Sequence, residues 1–168
     1  MSRVRVYVSI GSNIDPARHV RQALRDLRQE FGGLRVSPVY ASAAVGFDGD
    51  DFLNLVVGFD TSDSPEGVAE RLRRIEDANG RVRGPERYAA RTLDLDALTY
   101  GNQRVDSGRL VLPRDEITRY AFVLRPLADI AGDEHHPALG RRFADLWAEF
   151  DASDQPLRRV SLDDLETG

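Results

Sequence analysis

Hydrophobic and polar residues alternate from Arg3 to Ile10, placing Val4, Val6, Val8 and Ile10 on one side, the two-residue period of a β-strand. Gly11-Ser12-Asn13 interrupts the alternation, and Asp15 with Pro16 offers an N-cap and a first helical residue. Val20, Leu24, Leu27 and Phe31 then recur at helical spacing until Gly32-Gly33 closes the segment. Leu34 to Ala41 reads as a second strand, expected near a sheet edge because Pro38 has no N–H for a ladder. A loop rich in Gly and Asp covers Ser42 to Asp51, and Phe52 to Asp60 reads as a third, mostly buried strand. Ser64-Pro65 opens a second helix carrying Val68, Leu72 and Ile75, stopped near Asn79-Gly80. An arginine-rich loop leads into a fourth strand, Thr92 to Tyr100. The order β-α-β-β-α-β predicts an α+β fold on the ferredoxin-like plan, with two helices covering one face of an antiparallel sheet. Asn102 to Leu112 then predicts an extra hairpin, and Ile117 to Ile130 and Arg141 to Phe150 predict helices. The polar tail from Leu157 onward is expected to be loosely ordered.

At 168 residues the chain is expected to form a single domain, with no repeat beyond the two β-α-β halves and no dividing linker. The absence of cysteine rules out disulfides, thiolate metal sites and a cysteine nucleophile. No apolar run reaches the roughly 18 residues of a membrane span. The start of the chain lacks the apolar stretch of a signal peptide, so a cytoplasmic protein is expected. Acidic residues outnumber basic ones, 28 to 23, for a net charge of −5, which disfavours general nucleic-acid binding. The basic side chains are arginines, whose planar forks suit phosphate, so they are expected to act locally.

The strongest chemical signal is Arg91-Thr92-Leu93-Asp94-Leu95-Asp96. Strand alternation turns Leu93, Leu95 and Ala97 one way and Asp94 and Asp96 the other, the two aspartates roughly 6.5–7 Å apart. Adjacent carboxylates repel unless a cation lies between them, and divalent ions bridging phosphates suit this spacing. A pair of solvated carboxylates on an open sheet face is the other reading. The preceding segment, Gly80 to Arg91, places Arg81, Arg83, Arg87 and Arg91 next to the acidic pair, which favours a metal–nucleotide site over a solvated basic turn. There is no Walker loop. Phe52 and Phe122 read individually as core aromatics, and Asn54 is an amide in an apolar strand that needs partners. Asp48-Gly49-Asp50-Asp51 lacks the rest of an EF-hand and reads as a solvated turn; His135-His136 reads as surface.

These motifs resemble the 6-hydroxymethyl-7,8-dihydropterin pyrophosphokinase family, in register from about Val4 to Asp129. The likeness is carried by Gly11-Ser12-Asn13, Phe52-Leu53-Asn54, Arg74-Ile75-Glu76, the loop arginines, the Arg91-to-Asp96 block and Phe122-Val123-Leu124-Arg125-Pro126-Leu127. The resemblance implies a reduced pterin and ATP as small-molecule substrates of a monomer, with no nucleic-acid or membrane partner. It implies two magnesium ions on Asp94 and Asp96, with Arg81 and Arg91 completing the catalytic set. Pterin would meet Phe52, Asn54, Phe122 and the segment holding Ser42, Ala43, Val45 and Gly46. ATP would meet Glu76, Arg83, Arg87, Tyr88, Ala97, Arg109, Arg114 and Arg119. Arg114 stands where the family pattern has His, and Tyr120 where it has Arg. A non-catalytic pterin- or nucleotide-binding module, or a paralogue acting on a related reduced pterin, is the competing reading.

Overall fold

The computed structural model describes residues 2–42, 51–80 and 93–163. Its elements follow the chain as β1 (Val4–Ser12), α1 (Pro16–Phe31), β2 (Arg35–Val36), β3 (Val39–Ser42), β4 (Phe52–Thr61), α2 (Pro65–Ala78) and β5 (Asp94–Tyr100). Then come β6 (Val105–Asp106), β7 (Val111–Leu112), α3 (Glu116–Arg119), α4 (Ala121–Ala131), α5 (Phe143–Glu149) and β8 (Arg158–Val160). The strands lie in the order β5-β1-β4-β3-β8, and every pair is antiparallel. The first four form the expected ferredoxin-like β-α-β-β-α-β core.

The alternation seen in the sequence divides the sheet into two faces. Val6, Val8, Ile10, Leu53, Leu55, Val57, Leu93 and Leu95 pack on one side against Val20, Leu24 and Leu27 of α1 and Val68, Leu72 and Ile75 of α2. Fully burying each such aliphatic side chain contributes about 1.5–3 kcal/mol. On the opposite side, Tyr7, Val56 and Leu98 meet Ile117 of α3, Val123, Leu124 and Leu127 of α4 and Phe143 of α5. The second face is therefore covered by α4 and α5 toward β4, in addition to the two-helix plan expected from the pattern.

Helix starts follow two different routes. Ser64 accepts the Gly67 N–H at 3.0 Å, a side-chain cap on α2. Asp15 stands at the N-cap of α1 in a left-handed conformation and makes no side-chain cap bond, although its carbonyl accepts the His19 N–H at 3.1 Å.

Four expectations are corrected. The second strand is divided at Ser37-Pro38: between β2 and β3, Ser37 donates its N–H to the Val56 carbonyl and its hydroxyl accepts the Val56 N–H, both at 2.9 Å. The segment lies near the edge as expected: among the described residues β2 pairs only with β4, and β3 is one strand in, with β8 pairing along it at Val39↔Val160, Tyr40↔Arg159 and Ala41↔Arg158. That pairing also orders part of the tail that the sequence suggested was loose. The 117–130 helix is broken at Tyr120, whose extended backbone (φ −124°, ψ 127°) separates α3 from α4. Finally, His136 is buried: its Nδ1 accepts the Ala138 and Leu139 N–H groups at 3.1 Å each, and burial lowers its pKa.

Candidate active site

Because Leu93 and Leu95 pack under the helices, Asp94 and Asp96 project from the opposite face of β5. The ladder places Asp94 opposite Gly11 and Asp96 opposite Ser9 on β1. Gly11 in turn faces Asn54 on β4, and Asn54 faces Tyr40 on β3. Partners across a ladder share a face, so Asp94, Gly11, Asn54 and Tyr40 form one row across four strands. Two strand spacings, about 10 Å, separate Asp94 from Asn54. Asn54 is buried and its Oδ1 lies over Gly11, where an added Cβ would come within 2.9 Å of it. Glycine is thus required by the amide of the neighbouring strand, a role the Gly11-Ser12-Asn13 motif did not reveal.

The acidic pair is held from two sides. Glu76, buried in the last turn of α2, accepts the Leu95 N–H at 2.8 Å, between the two aspartates. β5 is an edge strand, so this carboxylate occupies a backbone donor that no neighbouring strand reaches. Arg114 follows β7 and ties itself to the same strand: its N–H donates to the Leu98 carbonyl at 2.9 Å and its Nε to the Ala97 carbonyl at 3.0 Å. Its Nη2 stands 3.9 Å from Asp96 Oδ1, leaving that carboxylate 49% exposed. The Ala97 side chain lies in the helix-facing core, so its backbone, whose carbonyl accepts from Arg114, is the part of it at the site.

The other expected residues distribute around this frame. Ser42, the last residue of β3, pairs with Phe52, the first of β4, and Phe52 shares its face with Asn54 by alternation. Phe122, in the first turn of α4, packs toward the same face and stacks on Tyr120 at 5.0 Å and 21°. The Arg119 guanidinium lies 5.4 Å over the other aromatic partner, Tyr120, and donates to Asp115 at 3.1 Å, a contact that raises its pKa. Arg109 is exposed in the β6–β7 connection. Ala43, Val45, Gly46, Arg81, Arg83, Arg87, Tyr88 and Arg91 lie outside the described residues.

Among the described residues, no group of three or more His, Asp or Glu side chains forms a cage that could hold a metal by itself. Two same-face carboxylates, one half-exposed, fit magnesium instead, an ion that takes one or two carboxylates and completes its shell with water and substrate phosphates. No helix among the described residues is long and apolar enough to cross a membrane.

A ferredoxin-like sheet bearing an acidic pair, an adjacent arginine and a buried amide two strands away suits one class of protein, the phosphotransferases. The model of the 7,8-dihydro-6-hydroxymethylpterin-pyrophosphokinase (HPPK) family matches residues 7–132. A 2-amino-4-hydroxy-6-hydroxymethyldihydropteridine pyrophosphokinase of Pseudomonas aeruginosa is 41% identical over 148 residues, covering 86% of this chain and 90% of that one. The enzyme of the same name from Methylorubrum extorquens is 42% identical over 134 residues, covering 77% and 84%. Among solved structures, wild-type HPPK-DHPS of Plasmodium falciparum with pteroate superposes with a TM-score of 0.74 at 11% identity. That match covers 92% of this chain but 46% of the crystallised one, and it speaks to the fold alone. The chain belongs to the 7,8-dihydro-6-hydroxymethylpterin-pyrophosphokinase family and is a diphosphokinase.

Proposed function

We propose that this chain transfers the pyrophosphoryl group of ATP to the hydroxymethyl group of 6-hydroxymethyl-7,8-dihydropterin, giving the pterin diphosphate and AMP for folate biosynthesis. The observation that carries this reading is the row that sets Asp94 about 10 Å from the buried Asn54 amide on one sheet face. That span fits a heterocycle over β4 with its hydroxymethyl arm extended toward phosphates at β5.

Asn54 reads the polar edge of the pterin, while Phe52 and Phe122 close on its two faces and the Ser42–Gly46 segment frames it. Asp94 and Asp96 hold two magnesium ions, which supply neutralisation of the triphosphate charge. Glu76 keeps the two aspartates in place by holding the peptide between them, and Arg114 directs its free donors at phosphate beside Asp96. Arg109 and Arg119, with Arg83, Arg87 and Tyr88, embrace the nucleotide, while Arg81 and Arg91 meet the charge that develops on the group in transit. The pterin oxygen bonds to the β-phosphorus, the bond from that phosphorus to the α,β-bridging oxygen breaks, AMP leaves, and the hydroxyl proton passes to solvent. Positioning and charge neutralisation account for the rate; no side chain is assigned as a general base.

The test is AMP release from magnesium-ATP against a panel of reduced pterins differing in the side chain at C6. The hydroxymethyl compound should give the highest kcat/KM. A flat response to all of them, or preference for another side chain, contradicts the assignment.

A further inference from the structure

We infer that Gln155, in the C-terminal tail beyond the family-matched segment, is a positioning residue for the pterin site: its amide clamps the backbone on either side of Tyr120 and so fixes Phe122. The inference rests on the proposed role of Phe122 against the pterin. The Gln155 Oε1 accepts the Ala121 N–H at 2.8 Å, and its Nε2 donates to the Arg119 carbonyl at 3.1 Å. These two backbone groups are orphans of the α3–α4 break, the first donor of one helix and a terminal carbonyl of the other. Ala121 is fully buried, and Tyr120, at the N-cap of α4, makes no side-chain cap bond. The group met at Ala121 is an N–H donor and the one at Arg119 a carbonyl acceptor, so one side-chain amide in one orientation satisfies both.

The clamp is itself prepared. A turn holds Gln155 through its N–H to the Ala152 carbonyl at 2.9 Å, and Ser153 N–H donates to Asp151 at 3.0 Å. Just beyond, β8 lies along β3, whose last residue is Ser42. The tail therefore fastens the helix start bearing Phe122 and the strand leading into the Ser42–Gly46 segment. Releasing the amide frees the extended backbone at Tyr120, on which the Tyr120–Phe122 stack depends. Arg119 has its own tie to Asp115 within α3, so the nucleotide side is affected less.

The test compares wild type with Gln155→Met, which keeps the side-chain length and removes both hydrogen bonds. KM for the reduced pterin should rise about fivefold to tenfold, the size expected for one to two net hydrogen bonds, with kcat and KM for ATP within about twofold. In a Phe122→Ala background, Gln155→Met should add nothing further. Where Gln155→Met does not fold, Gln155→Glu keeps the acceptor for Ala121, loses the donor to Arg119, and should show a smaller rise in the same constant. An unchanged pterin KM, or loss of kcat and thermal stability with KM intact, overturns the assignment by reducing the residue to a structural prop. Direct binding of 6-hydroxymethylpterin to the wild type separates the two claims: no binding there refutes the pterin reading itself, and binding insensitive to Gln155→Met refutes only the clamp.

Discussion

Replacing Gly11 by alanine adds one methyl group at the centre of the row joining the two halves of the site. The backbone tolerates alanine, since Gly11 is not among the positive-φ glycines. The conflict is with the neighbouring strand: the new Cβ would stand 2.9 Å from Asn54 Oδ1, and its next contacts lie at 3.9 and 4.0 Å. The Asn54 amide must therefore swing aside, while Asp94, also opposite Gly11, is left untouched. Loss of one or two hydrogen bonds from Asn54 to the pterin costs about 1–2 kcal/mol, or roughly a 5- to 30-fold rise in pterin KM. Mild overpacking of about 1 kcal/mol should lower Tm by roughly 2–4 °C for a chain of this size. Steady-state AMP release with pterin varied at saturating magnesium-ATP measures the first effect, and thermal denaturation the second. An Asn54→Ala background should abolish the KM effect of Gly11→Ala, because the group being displaced is gone. Unchanged pterin KM in Gly11→Ala, or an effect that persists without Asn54, refutes the reasoning.

Two further outcomes follow from the same geometry. Glu76→Ala leaves the Leu95 N–H without its carboxyl acceptor, which should cost about 1–3 kcal/mol and lower both Tm and kcat; a variant with wild-type Tm contradicts the role of Glu76 in holding β5. The Tyr7 pKa is pushed up to about 12, first by burial and then by the hydrogen bond its hydroxyl donates to Glu134. The unfolded chain deprotonates near 10, before the folded one, so stability should hold to about pH 10 and fall between pH 10 and 12. Urea midpoints against pH should show a smaller step in Tyr7→Phe than in wild type, the remainder coming from Tyr40, whose pKa burial also raises; an identical slope in both removes Tyr7 as a cause.

The two-residue period alone makes the central feature readable: Leu93 and Leu95 go under the helices, so Asp94 and Asp96 must face away together. Local signals likewise marked α1, α2 and the four core strands, because each carries its own period and punctuation. What stayed hidden depends on partners distant in the chain. The need for glycine at position 11 arises from Asn54, a cross-strand neighbour set by register. The polar run Arg158-Arg159 disguised β8, which forms because β3 offers a free backbone edge and Val160 packs beside the core. The break at Tyr120 left no mark in an apolar stretch reading as one helix, since the group that satisfies it, Gln155, lies 34 residues from Ala121. His136 looked like surface for a similar reason, its acceptor being taken up by a turn that closes around it.

The claim on which the rest depends is that Asp94 and Asp96 act as one metal-binding pair on the open face of β5. Magnesium titrations of AMP release in wild type, Asp94→Ala and Asp96→Ala test it directly. Each substitution should lower magnesium-dependent turnover at least about a hundredfold with little change in Tm, as expected for lost charge stabilisation at a solvent-facing pair. Near-wild-type turnover at ordinary magnesium in either variant contradicts the assignment.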